Sequence, residues 1–254
     1  MPMFNKALLY IRATLFWVGF ALSTMLTGLI SPFLLPFSHE TSYKILVPWA
    51  YFNIWWIKIT CGVKHNLIGK ENIDLKRNGI VLANHQSTWE TLLVPSIFPP
   101  ISWVLKQELF KIPFFGWALA RVKPIAVDRE AGSTAVDQVK TKGKARLDEG
   151  NWVCIFPEGT RVNPGEKKRY RMGGALLAHY CAEESIDGKG YPIYPMAHNA
   201  GECWPRHSYI KRPGTITVSI GKPFSVKGLS PPEINDKVRN WIESEVKKMP
   251  TAVS

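Results

Sequence analysis

Charged positions vanish over most of the first quarter of the chain. From Ala13 to Ser38 (ATLFWVGFALSTMLTGLISPFLLPFS) there is no Lys, Arg, Asp, Glu or His, a run of 26 residues. That exceeds the ~20 that cross a bilayer as a helix. A second apolar run, Ile45 to Ile57 (ILVPWAYFNIWWI), has 13 residues and three tryptophans. It is short for a span and rich in aromatic residues that favour the headgroup interface. The polar link His39–Lys44 predicts a turn. Residues 1–59 therefore predict a membrane-embedded two-helix hairpin, which either dips into one leaflet or crosses and returns. Both geometries bring its ends out on one side, and Lys6 and Arg12 put that side in the cytoplasm. No small-residue cleavage site follows the run, and Pro32 and Pro36 break its end, which argues against a cleaved signal peptide. A hairpin buried in a soluble protein would show the same pattern.

After residue 60 the period changes. Short apolar runs, most of them bracketed by Gly, Pro, Asn or Asp, predict strands at Val63–Ile68, Ile80–Ala83, Ile101–Leu105, Pro124–Val127, Trp152–Phe156, Ile193–Ala197 and Thr215–Ile220. Between them, Thr88–Ile97, Phe114–Val122, Thr134–Glu149 and Gly174–Glu184 carry apolar residues at three-to-four spacing and predict helices. Pro231–Lys248 predicts a final amphipathic helix, with proline at its start and lysines in its last turn. Strands alternating with helices predict an α/β domain over residues 60–254, its sheet largely parallel and flanked by helices. In such sheets the loops leaving the carboxyl ends of strands build the site. Motifs that directly follow a strand therefore carry the most weight.

Composition narrows the partners. The formal net charge is +12, and the first 59 residues hold only four basic and one acidic residue, so most of the excess lies in the α/β part. A basic surface suits nucleic acid, anionic lipid or a phosphorylated substrate. No RNP-like segment, zinc-finger spacing or helix-turn-helix signature is present, so nucleic acid is not expected. The cysteines at 61, 154, 181 and 203 never reach CxxC spacing. That pattern fits a reducing compartment and predicts neither a disulfide framework nor a metal site.

The candidate chemistry begins at residues 84–90, NHQSTWE, directly after the run Gly79–Ala83. With six histidines and 20 acidic residues in the chain, a histidine five positions before a carboxylate is weak by itself. His179 and Glu184 repeat the spacing inside a predicted helix with no strand before it, and His179 reads as a structural or surface residue. Five residues of helix turn through about 500°, leaving two side chains roughly 140° apart. His85 and Glu90 can pair only if His85 sits in the loop and the helix begins near Ser87 or Thr88, both good N-caps. A carboxylate so placed holds one imidazole nitrogen and leaves the other free to take a proton. FPEGTR, residues 156–161, also follows a strand. Gly159 offers a backbone N–H and Arg161 a fork of donors, suited to phosphate or carboxylate. Arg129 ends PIAVDR, and Lys106 follows Ile101–Leu105. Each cation alone is equally well explained as a solvated side chain; converging near His85, they would make a monophosphate site.

The ordered set NHQSTWE, Lys106, PIAVDR, FPEGTR and YPMAHN (residues 194–199) resembles the glycerophosphate acyltransferase superfamily. It looks most like the bacterial 1-acyl-sn-glycerol-3-phosphate acyltransferases, over residues 60 to 225 or so, and the N-terminal hairpin has a counterpart there. The resemblance implies that His85 is the general base and Glu90 its partner. Glu90 stands where the family pattern has Asp, a change that also occurs in relatives acting on other lipid acceptors. It further implies that Arg129 binds the acceptor phosphate with Lys106, that Glu158, Gly159, Thr160 and Arg161 belong to the acceptor site, and that Pro195 shapes it. The implied reaction moves a fatty acyl group from acyl-CoA or acyl-carrier protein to the sn-2 hydroxyl of lysophosphatidate, giving phosphatidate, with no metal or cofactor. Backbone N–H groups at the start of the helix after His85 are the expected oxyanion donors. The implied setting is the bacterial inner membrane, catalytic part on the cytoplasmic face. The basic run Lys167, Lys168, Arg169 and Arg171, with Tyr170 among them, either meets anionic headgroups or is a solvated loop.

Three other readings compete. One is acyl transfer to glycerol-3-phosphate, a lyso-ornithine lipid or a lipid A precursor. Another is a membrane-anchored protein that binds anionic lipid without catalysis. The third, a Ser-His hydrolase, lacks a GxSxG elbow.

Overall fold

The computed structural model describes residues 3–128, 133–186 and 188–253. The predicted strands all form: β1 (Val63–Ile68), β2 (Ile80–Ala83), β3 (Ile101–Lys106), β4 (Ile125–Val127), β5 (Trp152–Ile155), β6 (Ile193–His198) and β7 (Gly214–Ile220). They make one sheet in the order β1-β7-β6-β2-β5-β3-β4. Every neighbouring pair is parallel except β6 with β7. The α/β reading is borne out. β2 and β5 are buried along their whole length, because a parallel strand covered on both faces has no polar side to show.

Alternation along β2 sorts the molecule into two layers. Val81 and Ala83 join a core with Trp89, Leu92, Phe98 and the N-terminal segment. Ile80 and Leu82 join a second core with Val139, Leu147, Leu177, Val238 and Ile242. The first layer holds α1 (Met3–Ile30), α2 (His39–Leu46), α3 (Pro48–Cys61), α4 (Trp89–Ile97) and α5 (Phe115–Arg121), together with the short α8 (Ala200–Cys203). The second holds α6 (Ser133–Asp148), α7 (Gly173–Glu183) and α9 (Pro231–Lys248).

The N-terminal segment departs from the simple hairpin. His39–Lys44 is not a turn; it is most of α2. Ser38 starts that helix by accepting the Thr41 N–H at 3.2 Å, and Glu40 and Lys44 pair one turn apart. Pro48 at the first position of α3 and Gly62 in the left-handed region at its end (φ 70°) define the next helix. From Ala13 onward α1 carries no charged residue. Its outer stripe, Leu8, Ile11, Leu15, Val18, Leu22 and Leu26, is exposed, while Ala13 and Phe16 are fully buried against the rest of the chain. Residues Lys6–Leu34 are long and apolar enough to cross a membrane.

Lys211 fastens α1 to the sheet layer. It is fully buried, and its Nζ lies 3.9 Å from the Trp17 ring centroid, 4.7 Å from Trp204 and 5.5 Å from Phe16. The same ammonium donates to the carbonyls of Ser208 (3.1 Å) and Tyr209 (2.8 Å). A cation removed from water is tolerable here because rings and carbonyls replace its hydration. Lys211→Ala should therefore lower stability by about 2–4 kcal/mol, through the cavity and the stranded carbonyls. Thermal inactivation in detergent would show it, as a fall in midpoint.

Candidate active site

His85, Phe156 to Arg161 and His198 all lie at the carboxyl ends of the central strands β2, β5 and β6. β2 is the switch point of the order, with β5 on one side and β6 on the other. The crevice there is where such sheets bind ligands.

α4 begins at Trp89, leaving His85 in the loop and Glu90 in the first helical turn. Glu90 turns back over the helix start and is fully buried. Its Oε1 accepts from His85 Nδ1 (2.7 Å) and from the N–H groups of Gln86 (3.0 Å) and Ser87 (2.9 Å). Burial pushes the Glu90 pKa up, but the imidazoles of His198 and His85 and the N–H donors outweigh it and hold the group below its ordinary value. An ionised carboxylate only accepts, so Nδ1 of His85 carries the proton and Nε2 presents its lone pair. The imidazole lies flat on the Phe156 ring, centroids 4.1 Å apart and planes 15° apart, which removes its freedom to rotate.

The loop is also gripped by its backbone. His85 N–H donates to Glu158 Oε2 (3.0 Å), and the His85 carbonyl accepts from Val162 N–H (2.8 Å). FPEGTR thus clamps the histidine loop from both sides. Two expectations need correction. Gly159 has φ 69°, and its N–H donates to the Phe156 carbonyl, so the turn uses the donor expected for an anion. A side chain at position 159 would also run into Arg171. The N–H groups of His85, Gln86, Ser87 and Trp89 are likewise committed, to Glu158, Glu90, Glu90 and Ser87 Oγ. The extra methylene of Glu90 lets one carboxylate reach two of them, so none of these four is the oxyanion donor.

A cavity of about 520 Å³ opens beside the pair. Its wall includes the polar residues His85, Thr88, Lys106, Thr160 and Arg161. The rest is mainly apolar and includes Phe20, Trp49, Leu92, Trp103 and Phe115, supplied by α1, α3, α4, β3 and α5. Arg161 Nη1 donates to Thr88 Oγ1 at 2.9 Å. Arg206, from the segment after α8, donates to the Arg161 carbonyl and so steadies that residue's backbone. Lys106 pairs with Glu108 at 2.8 Å. Arg129 lies outside the described residues. Pro195 is in the middle of buried β6, paired with Leu82. His179 is on α7, 3.3 Å from Glu183 rather than Glu184, and takes no part. Tyr170 is buried in the core on the face away from α1, and Lys167 reaches Glu243 of α9 at 3.8 Å. This sets the basic run apart from the hairpin.

Glu158 is buried under the loop, not turned toward the cavity. Burial raises its pKa to about 8. The folded state therefore holds a proton that the unfolded state releases near the ordinary glutamate value of 4.5. Its contribution to stability is complete below that value and is lost as pH rises through about 8. Glu158→Gln, which is always neutral and keeps the oxygen for His85 N–H, should flatten this loss. Melting midpoints at about pH 5 and about pH 9 should fall less for the variant than for the wild type. Glu158→Ala should lose activity at both values.

Several participants were not legible in the sequence. Phe156 was read only as a strand end, and the hairpin's cavity-lining residues, such as Phe20, carried no motif. Asn84 and His198 lay inside quoted motifs without an assigned part. Among the described residues, no group of three or more His, Cys, Asp and Glu side chains is placed to hold a metal ion.

Comparison with known proteins gives one consistent result. A family profile described as Acyltransferase matches residues 64–199. A 1-acyl-sn-glycerol-3-phosphate acyltransferase of Pseudomonas aeruginosa is 39% identical over 237 residues, covering 91% of this chain and 89% of that protein. A lyso-ornithine lipid O-acyltransferase of Rhizobium meliloti is 33% identical over 148 residues, 57% of this chain and 49% of that one. The crystal structure of the 1-acyl-sn-glycerophosphate acyltransferase PlsC from Thermotoga maritima superposes with a TM-score of 0.75 at 23% identity, over 98% of this chain and 97% of that one. That likeness speaks for the fold. The resemblance seen in the motif blocks holds, and the chain belongs to the acyltransferase family.

Proposed function

We propose that the chain transfers a fatty acyl group from a thioester, acyl-CoA or acyl-carrier protein, to the sn-2 hydroxyl of 1-acyl-glycerol-3-phosphate. The observation that carries this is His85, held by Glu90, in the wall of a largely apolar cavity that also includes Arg161. His85 Nε2 takes the hydroxyl proton, and the oxygen attacks the thioester carbonyl. Collapse of the tetrahedral intermediate expels the thiolate, which takes the proton back from the imidazolium. Phosphatidate and free thiol leave. Arg161 meets the acceptor phosphate, and the apolar wall takes hydrocarbon. General-base assistance supplies about 10²–10⁴ in rate, and holding hydroxyl and thioester together supplies much of the remainder.

In this reading residues 1–59 are the membrane anchor and 60–254 the catalytic part. Trp17 of α1 packs on Trp204, ring centroids 5.8 Å apart. The middle of α1 therefore stays beside the catalytic part, which favours a hairpin dipping into one leaflet over one that crosses. Its apolar outer stripe would face lipid on the cytoplasmic side of a bacterial inner membrane, where the soluble donor is available.

The test is thiol release from palmitoyl-CoA by purified protein in lipid micelles, with and without lysophosphatidate, for the wild type and His85→Ala. Acceptor-dependent release that disappears in the folded variant supports the proposal. Release with lyso-ornithine lipid but not lysophosphatidate would replace the acceptor. Binding of anionic lipid with no release from any thioester would replace the enzyme reading altogether.

A further inference from the structure

A second histidine stands behind the pair. His198 ends β6 and is fully buried. Asn84, the residue before His85, locks to it through three hydrogen bonds. Asn84 Oδ1 accepts from His198 N–H (3.0 Å), Asn84 Nδ2 donates to the His198 carbonyl (2.8 Å), and His198 Nε2 meets the Asn84 carbonyl (2.8 Å). The remaining ring nitrogen, Nδ1, accepts from Ala200 N–H (3.3 Å) at the start of α8. That acceptor role puts the proton on Nε2, so the ring is neutral, as burial also favours. Nε2–H donates to the Asn84 carbonyl, and Glu90 Oε1 lies 3.8 Å from the same nitrogen. Glu90 Oε2 is buried without a hydrogen-bond partner, so the carboxylate is held entirely through Oε1 and the field around it.

We infer that His198 is a positioning residue for the transfer reaction. Its Nε2–H fixes the peptide that leads into His85 and adds a positive edge to the carboxylate that orients His85. The Asn84 carbonyl belongs to the peptide joining Asn84 to His85. If its partner is lost, that peptide can rotate and carry the imidazole with it. The carboxylate simultaneously loses the only imidazole near it, apart from His85, among the described residues. The lock ties β6 to the loop after β2, so the base is held from the side opposite the FPEGTR clamp. This inference rests on His85 being the base.

Three substitutions separate positioning from packing. His198→Gln places an amide N–H near the position of Nε2. His198→Asn can replace only Nδ1, and His198→Leu fills the space with no polar group. Turnover should fall by about 10–100-fold in the Leu and Asn variants, by analogy with the loss when the partner that orients a metal-ligating histidine is removed. The Gln variant should recover most of it, with the acceptor KM unchanged in all three. If Gln is no better than Asn, or if Asn and Leu keep wild-type turnover, the inference is overturned. Asn is polar and smaller than His, so that comparison stands even if Leu does not fold. His85→Ala measured alongside divides the two levels. Activity in that variant overturns the base reading itself, whereas an inactive His85→Ala with unaffected His198 variants overturns only the part given to His198.

Discussion

His85→Ala is expected to lower turnover by about 10²–10⁴, the worth of a positioned general base, while acceptor KM stays within a few-fold. The split follows from geometry. Nδ1 of His85 is used by Glu90, the ring is stacked on Phe156, and Arg161 is separately anchored on Thr88. Removing the imidazole therefore takes away a proton acceptor and leaves the anion-binding side chain in place. The loop itself should survive, because its N–H and carbonyl are held by Glu158 and Val162. A rise in KM with unchanged turnover would mean that His85 only binds substrate.

Glu90→Gln should cost a comparable factor, about 10²–10⁴, because a neutral amide no longer stabilises the imidazolium that forms when Nε2 takes the proton. Its stability should remain near that of the wild type, since an amide oxygen can still accept the Gln86 and Ser87 N–H groups. Glu90→Ala behaves differently. It strands the donors now held by Oε1, at about 1–3 kcal/mol for each one left buried, and should unfold at lower temperature as well as fail to turn over. The double variant His85→Ala/Glu90→Ala should turn over no more slowly than His85→Ala alone, because the carboxylate acts only through the histidine. Additive losses would show that Glu90 contributes independently.

The likeness to a lyso-ornithine lipid enzyme and to lysophosphatidate enzymes concentrates the acceptor question on a few residues. Arg161 lines the cavity, and its guanidinium is a natural complement to a phosphate. Lys106 also belongs to the cavity wall but already pairs with Glu108.

Periodicity was enough for the architecture. Four-residue apolar runs such as Ile80–Ala83 and Trp152–Ile155, too short for helices and flanked by turn residues, read as strands covered on both faces, and the helices between them favour parallel neighbours. The helical-wheel argument also located the start of α4, because a histidine and a glutamate five apart cannot meet inside a helix. His39–Lys44 misled for a local reason: short polar segments read as turns, and the helix there depends on the Ser38 cap and the Glu40–Lys44 pair.

The amino-acid sequence by itself therefore determined the strands and the helices between them, their alternation, the apolar N-terminal segment and the family, since these depend on spacing within a few residues. Tertiary structure alone decided which polar groups meet. Glu158 and His85 are 73 positions apart, Asn84 and His198 are 114 apart, and Thr14 and Tyr209 are 195 apart. No local period encodes such contacts; the first two exist because the sheet order sets β2 between β5 and β6, and the third because α1 packs beside the segment after α8. The same packing reassigned the N–H groups of Gly159, Gln86 and Ser87 from substrate to the protein itself. A buried donor must find an acceptor, and only the folded chain determines which acceptor is within reach.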